Sequence, residues 1–333
     1  NMMFADIDNK NKVLVKTKVF KECRKRKIKD HVKYVKKGKV RTGKGDYLTM
    51  VGNPVLMLRM SIKDLKINDE NVLHKEEKLE LKDNEIYTTF HDFDKKICGF
   101  RNPHASQSNV FVAKNTYVKD IDTYLDLSDN TVAVNSVGVD LLDRLNGSDF
   151  DSDVLLTIDD GKLLEISEKC FKDKYPVVIN KVKSEKKPYL LNNLDMYKID
   201  ADLSKSTTLI GSVTNVAQLI MSVYWDKIAN GEKEEDLTDL MRSISVLTCL
   251  SGISIDLAKQ KVDIDINEEI KHIEGNFELK TNYNEEIRKP NFWVNVSQNN
   301  NTKNKVMNYD TPMDYLHDIM SNLPKANYNK KVL

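Results

Sequence analysis

The sequence is poor in cysteine and has no paired cysteines. Cys23, Cys98, Cys170 and Cys249 stand far apart, with no CxxC among them. That argues against a zinc site and against a disulfide scaffold, and it fits a reducing cytoplasm. No apolar run approaches the roughly 18 residues that a membrane span needs. The N-terminus lacks the apolar core of a signal peptide. These absences point to a cytoplasmic protein. Charge of one sign is lacking too: 52 Lys and Arg offset 51 Asp and Glu, for a formal net charge of +1. The molecule as a whole is therefore not a basic nucleic-acid binder. No internal sequence repeat is visible. What remains is an ordinary globular composition of 333 residues, 40% hydrophobic and 31% charged. That suits about two domains and a sizeable core. The chain opens Asn1-Met2-Met3 and stops at Leu333 soon after a helix start, which reads as a piece of something longer.

The near-neutral total hides a local imbalance. From Lys21 to Lys44 basic residues far outnumber Glu22 and Asp30. Such a block can track a phosphate backbone, or it can be a solvated surface segment. Beyond it, Val13–Thr17, Ile86–Phe90, Asn109–Ala113, Thr131–Asn135 and Val154–Ile158 read as short strands. They are β-branched or aromatic, and bounded by Asp, Asn, Gly or Lys. Strand-like runs recur up to Val177–Val182. No long helical stretch separates them, so a mostly antiparallel or barrel-like β domain is expected rather than βαβ winding. After Ser206 the period changes. Leu209, Val213, Val216, Ile220 and Val223 fall on one helical face, with Ser206 and Thr207 as candidate caps. A polar break at Asn230–Glu235 precedes a helix over about Leu237–Leu250, and a third is expected from near Ile255. Gln298–Asn304 reads as a loop. Thr311–Ser321 reads as a helix with Pro312 in its first turn.

The sharpest feature is Asn146-Gly147-Ser148-Asp149-Phe150-Asp151-Ser152-Asp153, followed by the apolar run Val154–Ile158. Three carboxylates at i, i+2 and i+4 repel one another, and a hard cation such as Mg²⁺ or Ca²⁺ is the natural compensation. A calcium loop of the EF-hand type wants Gly at its sixth position and Glu at its twelfth. Here those are Val154 and Asp160. A solvated acidic turn is the plain alternative. Phe150 between the acids and the strand behind them weigh against it.

These residues resemble the metal-binding signature of the two-barrel RNA polymerases, written NADFDGD in cellular β′ subunits and DxDGD in the RNA-dependent polymerases of RNA silencing. The resemblance is nearest to single-chain phage- or prophage-type polymerases of Firmicutes. Other segments match in the same order: Gly45–Pro54, Phe100-Arg101-Asn102-Pro103-His104, Asn135–Gly138, Ser206 to Gln218 with Asn215, Ser251–Lys259, and more weakly Pro312–Leu316. The matches span about residues 45 to 260.

The resemblance implies an α+β fold, with a double-psi β-barrel in a β-rich half followed by a mainly helical half. It implies residues 1–45 as a basic segment, the end of an upstream domain. Residues 46–190 would form the β′-like barrel and 191–333 a helical downstream region. Asp149, Asp151 and Asp153 would bind catalytic Mg²⁺, and Arg101 would approach the ribose of the incoming nucleotide. His104, Gln218 and Lys259 would touch substrate, while Asp256 and Lys259, three apart, can also simply pair on a helix. The implied partners are NTPs, a DNA template (favoured over RNA), the RNA product, and a second barrel supplying lysines to the triphosphate. The implied setting is a bacterial or phage-infected cell. Two departures stand out: Ser152 replaces the family's glycine, and the sequence shows no second barrel. The expected activity is therefore that of a nucleotidyltransferase, inactive without its partner barrel. The competing reading is a catalytically incomplete nucleic-acid-binding fragment or remnant. A calcium-stabilised structural protein is the third.

Overall fold

The computed structural model describes residues 13–39, 43–62, 80–104, 106–171, 175, 177–179, 190–257, 264–297 and 305–322. The basic block forms helix α1 (Lys18–Lys36). Val13–Thr17, expected as a strand, is instead a 3-10 turn at Leu14–Lys16. Thr17 decides this. Its hydroxyl donates to the Leu14 carbonyl at 2.6 Å and accepts from the Phe20 N–H at 3.3 Å, capping α1.

Six strands then close a barrel: β1 (Lys44–Val51), β2 (Glu85–Tyr87), β3 (Lys96–Phe100), β4 (Phe111–Asn115), β5 (Thr131–Val134) and β6 (Val154–Asp159). Their order around the barrel is β1-β5-β2-β4-β3-β6. Exchanging β1-β2-β3 with β4-β5-β6 maps every pairing onto one of the same sense. The parallel pair β1–β5 becomes β4–β2, and antiparallel β1–β6 becomes β4–β3. The antiparallel pairs β2–β5 and β3–β6 map onto themselves. Short helices follow the first strand of each half, α2 (Pro54–Ser61) and α3 (Lys119–Tyr124). This twofold is the double-psi arrangement, a repeat of topology. The fold is thus α+β, with the barrel in the first half of the chain and helices dominating the second.

Alternation fills the barrel. Leu48 and Met50 of β1, Phe111 and Ala113 of β4, Val132 and Val134 of β5, and Leu155 of β6 share one buried cluster with Ile86 and Ile97. Each such large side chain contributes about 1.5–3 kcal/mol relative to exposure. The opposite faces of β2 and β5 place Tyr87 and Ala133 against Val118 and Ile121 at α3. Closure leaves no strand edge to pair with another chain.

Helix α4 (Leu141–Arg144) leads to the acidic loop, and α5 (Gly161–Lys169) follows β6. Val177–Ile179 form no strand, and 180–182 lie outside the described residues. The long helix α6 runs Asn193–Ala229. It starts well before Ser206, whose hydroxyl reaches the Ser254 carbonyl instead of capping. The cap is Asn192, whose side chain accepts from the Asp195 N–H at 2.9 Å. Helix α7 (Thr238–Asp256) continues through the position expected to start a third helix. That third helix, α8 (Ile266–Gly275), starts after its Asp265 cap. The expected loop at 298–304 lies outside the described residues.

The chain forms two compact units. One comprises Thr42–Met221 and Leu237–Phe277, and holds the barrel. The other comprises Asn1–Arg41, Ser222–Asp236 and Glu278–Leu333. In the second unit, β7 (Lys289–Pro290) pairs in parallel with β8 (Val306–Met307), and α1 packs on α9 (Trp293–Val296) and α10 (Pro312–Asn322). Asp226 ties it together, accepting from Lys280 Nζ at 2.9 Å and from the Asp310 N–H at 2.6 Å. Thr311 caps α10 through the Asp314 N–H. Among the described residues, no helix is long and apolar enough to cross a membrane.

Candidate metal centre

The acidic loop bridges α4 and β6 at one end of the barrel. Two consecutive residues, Asn146 (φ +59°) and Gly147 (φ +65°), turn it through left-handed backbone. The Asn146 amide donates to the Pro103 carbonyl at 2.6 Å, tying the turn to the segment after β3. At the exit, the Asp153 carbonyl accepts from the Met50 N–H at 2.9 Å, so the loop ends in register with β1. Between these anchors, Asp149, Asp151 and Asp153 bring one carboxylate oxygen each to within 4.8 Å of one another. Oxygens around a Mg²⁺ ion at 2.0–2.1 Å lie roughly 3–4 Å apart, so small side-chain adjustments suffice to close these three on an ion. Asp149 and Asp151 are exposed and Asp153 is half-buried. The donor set, all oxygen and all anionic, suits a hard divalent cation.

Arg101 organises one side of this loop. Its guanidinium donates to Asp153 Oδ1 at 2.8 Å and to the Leu145 and Asn146 carbonyls at 3.1 and 3.4 Å. The ion pair is mostly sequestered, with side-chain exposures of 16% and 19%. Asp153 Oδ2 also accepts from the Asp149 N–H at 2.9 Å, and Asp149 Oδ1 from the Asp151 N–H at 3.3 Å. The three acids are thus held in a chain of local bonds that starts at Arg101.

A cleft of about 180 Å³ opens over the loop, lined by Arg101, Asn146, the three aspartates and the last turn of α7 (Gly252, Ile255 and Asp256). Asp256, of the matched Ser251–Lys259 segment, thus lines the cleft with the three aspartates. A helix C-terminus carries partial negative charge. Its arrival beside three carboxylates adds to the demand for a cation.

Ser152 has φ +107°, a backbone that glycine adopts freely and serine does not. The glycine that the resembling family has here would sit without strain. Phe150 is 40% exposed at the loop tip, so it does not anchor the loop from within. The calcium-loop alternative fails on geometry. Val154, its sixth position, begins β6, while Asp160, its twelfth, caps α5 by accepting from the Lys162 and Leu163 N–H groups at the far end of that strand.

The other sequence candidates are dispersed. His104 is exposed and stacks edge-on against Phe100, with ring centroids 5.3 Å apart. Gln218 and Asn215 lie on exposed positions of α6. Neither His104 nor Gln218 is among the described residues lining the cleft. Lys259 lies outside the described residues.

No family model matches this chain, and no curated protein matches it. Among solved structures it is similar to the RNA-dependent RNA polymerase QDE-1 from Thielavia terrestris, with a TM-score of 0.47 and 14% identity. That match covers 88% of this chain, which spans 30% of the length of that protein. Residue roles do not transfer at such similarity.

Proposed function

We propose that this chain carries the metal-binding half of a nucleotidyl-transfer active site of the two-barrel RNA polymerase kind. One observation carries the reading. The three acids of the matched signature converge at the end of a double-psi barrel, in one cleft with two other matched segments, those of Arg101 and Asp256. Asp149, Asp151 and Asp153 would hold Mg²⁺. That ion, when bound, supplies Lewis-acid activation of an RNA 3′-hydroxyl and charge neutralisation at the α-phosphate of the incoming NTP.

The chain's own residues prepare the site. Arg101 restrains Asp153, so that less carboxylate freedom is lost on binding. Its planar guanidinium also faces the cleft, and in this reading one of its N–H groups reaches the nucleotide's ribose. His104, Gln218 and Lys259 remain in the proposal through the sequence resemblance alone. The template is DNA in this reading, with RNA as product. A second barrel bearing lysines completes the triphosphate site from another part of the polypeptide or another subunit.

The test is nucleotide incorporation with Mg²⁺, on this chain alone and on the polypeptide or assembly that supplies the lysine-bearing barrel. Incorporation is expected only in the second case, and Asp151→Ala should abolish it with thermal unfolding unchanged. Normal extension by that variant would sink the assignment. Arg101→Ala should erode the preference for ribonucleotides over deoxyribonucleotides; an unchanged ratio refutes the ribose contact.

A further inference from the structure

Helix α1 is chemically unlike the rest of the molecule. It carries nine basic residues against two acidic ones, Glu22 and Asp30, in a protein whose total is near neutral. None of its residues is buried. A helix without a buried stripe draws little stability from core packing, so its composition answers to something outside the fold.

Six of the nine basic residues gather on one side of the helix, while Arg24, Arg26 and Lys27 lie off it. Lys18, Lys25, Lys29 and Lys36 recur at i, i+7, i+11 and i+18. At 3.6 residues per turn these positions fall within about 20° of one line along the helix. Lys21 and Lys33 flank that line. At 1.5 Å per residue the row spans roughly 27 Å, the axial length of about eight base pairs. Lys18, Lys21, Lys25, Lys29 and Lys33 are exposed. Glu22, which pairs loosely with Lys18 at 3.9 Å, and Val32 also fall within the row. The half-buried Phe20 and Cys23 lie on the opposite side, and α1 packs on α9 and α10. Five of the six lysines of the row are thus exposed, and Lys36 at its end is half-buried.

We infer that the outer face of α1 is a nucleic-acid docking surface that tracks the phosphate backbone of a duplex. Charge complementarity decides the partner. Phosphates along a duplex form a regular anionic line that a straight row of lysines can follow. A bilayer surface would need a broad apolar face beside the basic one, whereas the exposed apolar residues of α1, Val19, Ile28, Val32 and Tyr34, lie at about +100°, −80°, −40° and +160° from the lysine line and form no single face. The inference rests on the polymerase reading only for its expectation of a nucleic-acid partner. The surface lies in the unit that does not contain the metal cleft.

The experiment measures binding of the full chain to a fluorescein-labelled DNA duplex of about 20 base pairs across a salt series. The triple variant Lys25→Ala, Lys29→Ala, Lys33→Ala keeps helix propensity, because alanine is the best helix former, and circular dichroism checks that. Affinity at about 0.1 M salt should fall at least about tenfold, and the log–log salt slope should flatten by about 2–3. A control triple on the barrel unit, Lys96→Ala, Lys114→Ala, Lys169→Ala, should change neither. An unchanged slope in the α1 variant overturns the inference, as does an equal loss in the control. So does capture by phosphatidylserine vesicles without duplex binding. Asp151→Ala should bind duplex as the wild type does. Absence of Mn²⁺ binding in the folded wild-type chain, with duplex binding retained, would refute the polymerase site and leave this surface standing; metal binding without duplex binding refutes only the surface.

Discussion

The two halves of the barrel put a loop in the same place and use it differently. The twofold that exchanges β3 with β6 makes the segment leading into β3, Thr88–Lys95, the counterpart of the acidic loop leading into β6. Both contain Asp-Phe-Asp: Asp92-Phe93-Asp94 in one, Asp149-Phe150-Asp151 in the other. Before β3 the charges spread outward onto lysines. Asp92 pairs with Lys95 at 2.8 Å, Lys95 also with Asp159 at 3.3 Å, and Asp94 with Lys114 at 2.9 Å. Lys95 holds the Asp92 carboxyl below its usual range through hydrogen bonding and charge. Before β6 the carboxylates turn toward one another instead, and the nearest guanidinium, Arg101, engages one of them. The same motif at the same place becomes a surface salt-bridge network or a candidate cation site according to where its carboxylates point.

The sharpest way to break that comparison is at the cations. Arg101→Ala leaves a mostly sequestered Asp153 without its guanidinium, and should lower stability by about 2 kcal/mol. Denaturant titration checks it, and added Mg²⁺ or Mn²⁺ should recover part of the loss. Lys95→Ala, at the counterpart loop, should leave Tm unchanged, because an exposed pair adds little. Equal losses at the two sites would erase the distinction. Next in size is Ser152→Gly. Relief of the φ +107° backbone should stabilise the loop by about 1 kcal/mol, with no loss of metal affinity. A lower Tm in that variant would show that the serine side chain does something the structure does not display.

The smallest expected effect is a pH dependence. His91, in the β3 loop, is buried, with Nε2 at 2.9 Å from the Thr157 hydroxyl and no hydrogen-bond partner at Nδ1 among the described residues. Burial, chiefly, pushes its pKa below the ordinary 6.5, with Lys44 adding to the shift. The unfolded chain therefore takes up the proton first. The stabilisation is complete above about pH 6.5 and is lost as pH falls through the lower folded pKa. Tm should drop on acidification below pH 6.5, and less steeply in His91→Gln. Parallel curves for the two proteins would remove His91 from the account.

The strands that announced themselves in sequence, β2, β4, β5 and β6, are the ones that carry runs of β-branched, aromatic or aliphatic residues. β1 was hidden because only Leu48 and Met50 are buried in it, and its first half, Lys44–Tyr47, is polar and exposed. β3 was hidden by its lysine start and by Gly99. The start of α6 was missed because Leu194, Met196, Tyr197 and Leu203 are all exposed, so no buried stripe exists there to give a period. The twofold was illegible because strand pairing carries it, and the Asp-Phe-Asp that the two loops share is too short to read as a repeat. The acid triad was visible as spacing, but its convergence was not. Convergence depends on the positive φ angles at Asn146, Gly147 and Ser152, and on Arg101, 52 residues away from Asp153 in sequence. Asp256 reaches the cleft only through the packing of α7.

The most direct measurement is Mn²⁺ binding to this chain, followed by electron paramagnetic resonance and competed with Mg²⁺. The wild type should bind Mn²⁺ saturably and release it to Mg²⁺. The Asp149→Asn, Asp151→Asn, Asp153→Asn variant should not bind it, while thermal unfolding shows that its barrel is intact. Binding that survives in the triple variant, or its absence in a folded wild type, would contradict the claim that this loop is a metal site.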